Sequence, residues 1–289
     1  MKIAVGIDIG GSTTKAVALK GKEILGVSEM PSSDPLATSI GLLGKLIVMM
    51  GCSLKDVEVL AIAGGRSSQL PDSILGLRVV KVNEIVAAGT GGIVLTGLDE
   101  ALVVSMGTGT ALIEVRENGK RIRHIGGTGV GGGTLLGLAR KMLGISSVSI
   151  LVEMAEKGDP RRVDLTVGEI VGDGIGILSA EMTASNLGRV GDTSSPEDLA
   201  AGITNLVGEV VASVTFLAAS KLGLEDKVIL VGRVAKLPPV LKSIQRALSS
   251  FGVKPIVPKL PEYAVAVGAG YRVSAEDDPN ASLIRQKNG

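Results

Sequence analysis

Side chains that could hold a metal ion and phosphate groups stand together near the N-terminus. The apolar run Ile3–Ile9 contains a single charged residue, Asp8, and a glycine turn follows it. The residues of this turn and of the next strand are Gly10, Gly11, Ser12, Thr13, Thr14 and Lys15. Backbone N–H groups of such a turn can approach an anion because no Cβ atom stands in the way. We expect the turn to bind phosphate and Asp8 to hold Mg²⁺, whereas Lys15 either reaches the phosphates or lies solvated on its strand.

The same pattern occurs again in the second half of the chain. Residues 102–113 form an apolar strand, a Gly-Thr-Gly-Thr turn at 107–110 and the start of a second apolar strand. A further pair of glycine turns lies at 61–66 and 229–233, each after an apolar run and each with an arginine. Two such turns that face each other across a cleft would hold the phosphates of one nucleotide. The duplication therefore predicts an enzyme that uses ATP.

Glu84 is the candidate general base. It follows the expected strand 77–82 and begins a helix, where an acid is favourable through the helix dipole alone. However, the carboxyl edge of a strand is also where cleft residues lie in open α/β sheets. Phosphoryl transfer to an alcohol needs a carboxylate to accept the hydroxyl proton. We expect Glu84 to have this role, with helix capping as the alternative.

A glycine run before the third quarter of the chain is the other nucleotide candidate. Residues 126–133 contain six glycines in eight positions and lead into an apolar helical pattern. Loop material of this composition is unfavourable unless it binds a ligand, because glycine loses the most conformational freedom on folding. Bare backbone before a helix N-terminus is suited to an anion or a nucleotide.

Composition excludes several classes of protein. The 289 residues carry a net charge of +1, no tryptophan, two phenylalanines and two tyrosines, so neither a basic stripe nor a stacking platform for nucleic acid is present. The single cysteine, Cys52, precludes an intrachain disulfide and suits a reducing cytosol. The longest apolar run, Ile203–Ala219, contains Asn205 and Glu209 and is better interpreted as a buried helix than as a membrane span. We expect a cytoplasmic protein without a signal peptide.

Periodicity predicts the same layout twice. Meanders are expected over residues 2–30 and 102–125, with the Asn118-Gly119 pair as a hairpin turn. Further strands are expected at 57–63, 77–82, 228–231 and 254–257. Helices are expected at 35–50, 84–95, 133–143, 197–222, 239–250 and 263–273, the long one capped by Ser195. This layout resembles the actin-like (ribonuclease H-like) kinase fold, an α/β fold whose two lobes enclose an ATP cleft. The expected lobes are 1–97 and 98–261, with helix 262–275 packed back on the first lobe and a flexible tail at 276–289.

The chain also resembles the type II pantothenate kinase family. The resemblance rests on segments that occur in the family's order over nearly the whole chain, namely Asp8–Lys15, Ser105–Thr110, Gly126–Leu138, Glu153–Asp159 and Ser179–Gly188. It implies ATP-dependent phosphorylation of pantothenate, the first step of coenzyme A synthesis, by a homodimer. Its apolar long helix is expected to pack on the partner's copy, with residues 184–188 near the partner's substrate pocket.

The resemblance also implies roles for individual residues. Glu84 matches the catalytic glutamate, residues 10–17 match the phosphate loop, and Thr108 matches a hydroxyl that faces nucleotide and substrate. The other nucleotide positions that it implies are Gly109, Gly132, Gly133, Thr134, Leu135, Leu136, Gly232 and Arg233.

Two positions depart from the family's pattern, both on the substrate side. His124 stands where the family has an arginine that contacts pantothenate, and Ala111 stands where it has a serine. A histidine cannot reproduce a guanidinium fork on a carboxylate, and losing such a bond weakens binding by roughly 1.5–3 kcal/mol. Either Arg121 or Arg123 replaces it, or the acceptor differs.

Three other classes of protein stay open as alternatives. One is a kinase of the same fold that acts on another alcohol. Another is an ATPase activator of radical dehydratases, whose dimer needs four thiolates for an iron–sulfur cluster, whereas Cys52 supplies only two. The third is a non-catalytic ATP-binding protein. A zinc-bearing sugar kinase is disfavoured because no cysteine cluster accompanies His124.

Overall fold

A computed structural model describes residues 2–176 and 179–276 of the protein. Its strands are β1 Ile3–Ile9, β2 Thr13–Lys20, β3 Glu23–Pro31, β4 Val57–Ala63, β5 Ser73–Ile74, β6 Leu77–Lys81, β7 Ala101–Met106, β8 Thr110–Arg116, β9 Arg121–Thr128, β10 Leu165–Thr166, β11 Thr183–Ser185 and β12 Val228–Val231. Its α-helices are α1 Pro35–Met50, α2 Glu84–Thr96, α3 Gly132–Leu143, α4 Val148–Lys157, α5 Val167–Val171, α6 Pro196–Leu222, α7 Pro238–Ser250 and α8 Ala264–Glu276. The tail expected from residue 276 lies outside the described residues, apart from Glu276 at the end of α8.

The two halves share one sheet topology. The first sheet has the order β3-β2-β1-β4-β6-β5, and the second has β9-β8-β7-β12. In each, an antiparallel meander is followed by a strand parallel to its first member. The strand predicted at 254–257 is wrong: only Ile256 forms a bridge, to Ile229. Pro255 and Pro258 flank it and cannot donate ladder hydrogen bonds, so pairing does not extend.

The glycine run is only partly a loop, which corrects the sequence expectation. Strand β9 continues through Gly126 and Gly127 to Thr128, where Gly127 pairs with Ala111. A Cβ atom on Gly127 would lie 2.2 Å from the carbonyl oxygen of Thr110, so the ladder itself requires glycine here. The loop is therefore confined to residues 129–131, directly before α3.

Helix α8 closes the first half by packing at backbone distance. It contacts β1, β2, β4 and above all α2. A Cβ atom on Gly6 would lie 1.9 Å from the carbonyl oxygen of Ala266, and one on Gly268 would lie 1.8 Å from that of Ala87. Glycine at these crossings lets α8 approach β1 on one side and α2 on the other at backbone distance, and buried Val, Ile, Leu and Ala side chains supply the surrounding core.

Helix α6 is the central helix of the second half. The hydroxyl of Ser195 accepts from the N–H of Asp198 at 3.1 Å, which confirms the predicted cap. The helix has the length and hydropathy of a membrane span, but 61% of its most apolar 18-residue stretch is buried inside the protein. Helix α4 and the small sheet β10–β11, which lie between β9 and α6, were not predicted; the strands of this sheet are two and three residues long, too short to show a period.

Candidate active site

Three parallel strands of the first sheet end at one edge and bring the predicted groups together. Strands β1, β4 and β6 are neighbours, and each carries a polar segment at its carboxyl end. Asp8 and the turn 10–13 belong to β1, residues 64–66 follow β4, and Glu84 follows β6. The carboxyl edge of a parallel set is where ligands bind in open α/β sheets.

Asp8 is a buried carboxylate that faces a buried lysine. It pairs in register with Lys15 on β2, and its Oδ2 lies 3.6 Å from Nζ of Lys15. Both residues are 8% exposed. Burial raises the pKa of the Asp8 carboxyl to about 6; Lys15 lowers this pKa, and the nearby charge of Glu84 raises it further. The Asp8 site is therefore one where a second positive charge would be stabilised.

This carboxylate fits a magnesium ion by its chemistry. Mg²⁺ is commonly bound through one or two carboxylates, with water and substrate phosphates as the remaining ligands. No group of three or more His, Cys, Asp or Glu side chains that could form a closed metal cage occurs within residues 2–176 and 179–276. Asp8 beside a phosphate-binding turn is consistent with the more open arrangement.

Hydrogen bonds fix the first turn from behind. Thr14, which is 1% exposed, has its hydroxyl 2.9 Å from that of Ser32, and the Ser32 hydroxyl donates to the carbonyl of Gly10 at 2.7 Å. The guanidinium of Arg66 lies on the outer side of the turn and donates to the carbonyl of Gly11 at 3.5 Å. Because these bonds engage carbonyl groups of the turn, the Ser12 hydroxyl and the N–H groups of the turn remain available to a ligand.

Glu84 is not the residue that caps α2. The side chain of Asn83 accepts from the N–H groups of Ile85 and Val86, at 3.0 and 3.2 Å. Glu84 is exposed and makes no hydrogen bond or ion pair with the described residues. An unpaired carboxylate at the strand edge, close enough to Asp8 to act on its pKa, is available to accept a proton.

The second turn and the glycine loop form one backbone surface. The N–H of Gly132 donates to the carbonyl of Gly107, and that of Gly133 donates to the carbonyl of Thr108, both at 2.9 Å. A Cβ atom on Gly131 would lie 2.8 Å from the carbonyl oxygen of Thr108. The exposed Thr108 side chain and the first turn of α3 therefore lie side by side, as the nucleotide assignment requires. Gly109 and Thr134 lie in the same surface, whereas Leu135 is buried beneath it.

The turn after β12 continues this surface. Gly232 has φ = 95° and packs against the backbone of Met106, and the side chain of Val234 contacts Gly132. Arg233 is exposed and donates to the carboxylate of Glu29 on β3. Glu29 belongs to the first half, so this ion pair joins the two halves, and sequence reasoning missed it because 204 residues separate the partners.

Ala111 and His124 lie on the α2 side of the second sheet, where Ala111 is half-buried and His124 is exposed. Gly89 of α2 contacts the side chains of Ile113, Val115 and Ile122, and the C-terminal part of α2 contacts Gly119. Since α2 runs antiparallel to β9, two strand residues beyond Ile122 correspond to about one helical turn, which places His124 beside the first turn of α2. The four predicted substrate residues, Glu84, Thr108, Ala111 and His124, thus lie toward the same end of α2.

A separate polar cavity of about 660 Å³ lies in the second half, between α4, α6 and α7. None of the predicted site residues lines it. Its floor holds the buried Asp164, whose carboxylate accepts from the Asn205 amide at 2.7 Å and from the N–H of Leu187 at 2.7 Å. Burial raises the pKa of Asp164. Because these floor groups are satisfied, the network primarily holds the β10–β11 segment on α6.

Comparison with known proteins identifies the family. The Fumble family model matches residues 100–269. A type II pantothenate kinase of Bacillus cereus (strain G9842) is 30% identical over 234 residues, which cover 78% of this chain and 82% of the relative. Another, from Oceanobacillus iheyensis, is 33% identical over 187 residues, 62% and 68% of the two chains. The chain belongs to the type II pantothenate kinase (Fumble) family.

Solved structures confirm the predicted fold class. The activator of 2-hydroxyisocaproyl-CoA dehydratase from Clostridium difficile with bound ADPNP has a TM-score of 0.69 at 18% identity, covering 99% of this chain and all of the other. A ROK family glucokinase from Streptomyces griseus in complex with glucose and AMPPNP has a TM-score of 0.58 at 18% identity, with 93% and 98% covered. At this identity the likeness shows the fold alone, which is the duplicated actin-like kinase fold.

Proposed function

We propose that this protein is an ATP-dependent kinase that phosphorylates the primary hydroxyl of pantothenate, giving 4′-phosphopantothenate for coenzyme A synthesis. The observation that carries the proposal is the shared edge of β1, β4 and β6, where Asp8, the phosphate turn and the unpaired Glu84 lie in neighbouring positions. Membership of the type II pantothenate kinase family supports the choice of acceptor. A cytoplasmic homodimer acting on this small molecule is part of the proposal.

Each group has a role that follows from its position. The N–H groups of the turn at 10–13 and those of Thr108 and Gly109 would hold the ATP phosphates from the two halves, with Gly132 and Gly133 at the start of α3 beside them. Glu84 would accept the proton of the attacking hydroxyl as the new P–O bond forms and the bond to ADP breaks. Asp8 would hold Mg²⁺, which neutralises charge on the phosphate oxygens.

A panel of acceptor alcohols tests the proposal. ADP release should be measured with Mg-ATP and each alcohol in turn, pantothenate first, and the product identified by mass. Pantothenate should be phosphorylated on its primary hydroxyl. If ADP is released at a rate that no alcohol increases, the protein is a nucleotide hydrolase of the same fold and the kinase proposal fails.

A different acceptor is the second candidate, and His124 and Ala111 favour it. Pantothenate carries a carboxylate that must meet a cation or several N–H donors in a desolvated pocket. The imidazole ring and the methyl group at these two positions cannot replace a guanidinium fork and a hydroxyl. An alcohol of similar size without the carboxylate would then give the higher kcat/KM in the same panel. The activator alternative has less support, since each chain offers only Cys52, a half-buried residue after α1.

A further inference from the structure

A row of four alternating charges runs across the first sheet and onto the second half. Asp8 on β1 pairs in register with Lys15 on β2, and Lys15 pairs with Glu29 on β3. Residues paired directly across strands share one face of a sheet, so these three side chains project to the same side. Arg233 completes the row: its Nη2 donates to Oε2 of Glu29 at 2.5 Å.

Arg233 uses one edge of its guanidinium in this bond. It donates a single hydrogen bond within residues 2–176 and 179–276, although a guanidinium has five N–H donors in a fixed fork. Its side chain is 47% exposed and that of Glu29 is 41% exposed. The remaining donors are therefore open to an anion while the carboxylate of Glu29 holds the other edge.

The equivalent row in the second half carries no charge. Ser105, Ala111 and Gly127 pair in the register that Asp8, Lys15 and Glu29 have in the first half. The charged row is thus not a consequence of the duplicated sheet. It occurs only in the copy that contains the buried carboxylate, and its last member is the arginine beside the nucleotide surface of α3.

We propose that Glu29 is a positioning residue, which holds the guanidinium of Arg233 toward the phosphates of the nucleotide. This inference rests on the proposed function, because it assumes that a nucleotide binds between the two halves. Glu29 does not touch the nucleotide, since two negative groups in contact would repel each other. It acts by fixing a long side chain of the second half from a rigid strand of the first, so that less side-chain freedom is lost when the anion binds.

The test replaces the carboxylate by an amide of the same shape and measures nucleotide binding. Glu29→Gln should weaken the binding of Mg-ADP and Mg-ATP in calorimetry, raising each Kd by about threefold to fivefold, the upper part of the range for an exposed ion pair. KM for the acceptor and the melting temperature should not change. Glu23→Gln is the matched control: Glu23 lies on the same strand, is exposed and forms no ion pair with the described residues, so its nucleotide affinity should equal that of the wild type.

A double-mutant cycle separates positioning from a general effect. In an Arg233→Gln background, adding Glu29→Gln should cause no further loss of nucleotide affinity, because the residue through which Glu29 acts is already gone. Additive losses, unchanged affinity in Glu29→Gln, or tighter binding in that variant would each overturn the inference. If the wild type itself binds neither Mg-ADP nor Mg-ATP, the proposed function fails first and the inference fails with it.

Discussion

The two halves share a backbone design but not its chemistry. Gly64 and Gly232 both have positive φ, 101° and 95°, and each packs on the last residue of the neighbouring strand, Ile9 or Met106. The buried hydroxyls of Thr14 and Thr110 both fasten the segment that follows the third strand, to Ser32 and to the carbonyl of Val130. These shared features build two turns whose N–H groups can face one ligand.

The charged side chains differ between the halves. Asp8 and Lys15 have Ser105 and Ala111 as their counterparts, and the second turn is one residue shorter. Glu84, at the start of α2, is unpaired, whereas Glu262, near the start of α8, is buried and paired with Lys236 at 2.6 Å. We infer that the first half supplies the reacting charges and that the second half mainly supplies backbone donors.

The largest expected effect on turnover comes from Glu84. Glu84→Gln should lower kcat by about 10²–10⁴ while Mg-ATP still binds, because the amide cannot accept the hydroxyl proton. Glu262→Gln, near the start of α8, should leave kcat close to normal and instead lower the melting temperature, since Lys236 loses its partner. Stopped-flow turnover and calorimetry on both variants measure this. Equal losses of kcat in the two variants would contradict the inference that the first half supplies the reacting charges.

Asp8 should come next. Asp8→Asn should lower kcat by on the order of 10²–10³, because the site loses the anchor of its metal ion but little packing. Ser105→Ala, at the equivalent position, should retain most of its turnover. Both rates should be measured over a range of Mg²⁺ concentrations. Normal turnover of a correctly folded Asp8→Asn variant would exclude Asp8 from the mechanism.

Asp8 also predicts a pH dependence of stability. Its pKa is about 6 in the folded chain and 3.8 in the unfolded reference, so the folded state binds more protons between these values. The free energy of unfolding should therefore fall as the pH rises from about 4 to about 6, by on the order of 2–3 kcal/mol from this group. Urea titrations without Mg²⁺ should show this slope in the wild type and not in Asp8→Asn. Parallel pH profiles for the two proteins would contradict it.

The acceptor pocket should respond on a smaller scale. His124→Arg combined with Ala111→Ser should strengthen apparent pantothenate affinity by about tenfold, since a fixed charge and a hydroxyl return. Wild-type use of pantothenate should be weak. Saturation of the wild type at low micromolar pantothenate would mean that neighbouring arginines compensate. If neither version phosphorylates pantothenate, the proposed ATP site still stands and pantothenate is excluded as the acceptor.

The smallest effect should be shared by both halves. Thr14→Val and Thr110→Val should each lower the free energy of unfolding by about 0.5–1.5 kcal/mol, because each removes the hydrogen bond of a buried hydroxyl. Thr13→Val is the control, since Thr13 is half-buried and its hydroxyl has no partner within the described residues. Chemical denaturation measures all three. A large loss in only one of the two variants would show that the turns are not held in equivalent ways.

Local sequence determined the elements and the duplication. Strands with a two-residue period, helices with caps such as Ser195, and glycine turns after apolar runs depend on interactions within a few residues, which a single sequence displays. The bounds of α1, β4 and β12 were therefore predicted as observed. One prediction failed because a neighbour in space decides the outcome: Gly127 of β9 fits a crowded ladder beside Thr110. Another failed although its cause is local, since the adjacent prolines confine Ile256 to one bridge.

Tertiary structure alone decided how the charges are combined. The sequence presents Asp8, Lys15, Glu29 and Arg233 as four separate residues, and only strand register and the packing of the two halves align them. The structure also shows that Asn83 caps α2, which leaves Glu84 unpaired. The burial of Asp8 and the position of Arg233 next to Glu29 both depend on contacts between residues far apart in the chain. Such contacts leave no local period or motif, because the energy that selects them is that of packing the whole fold.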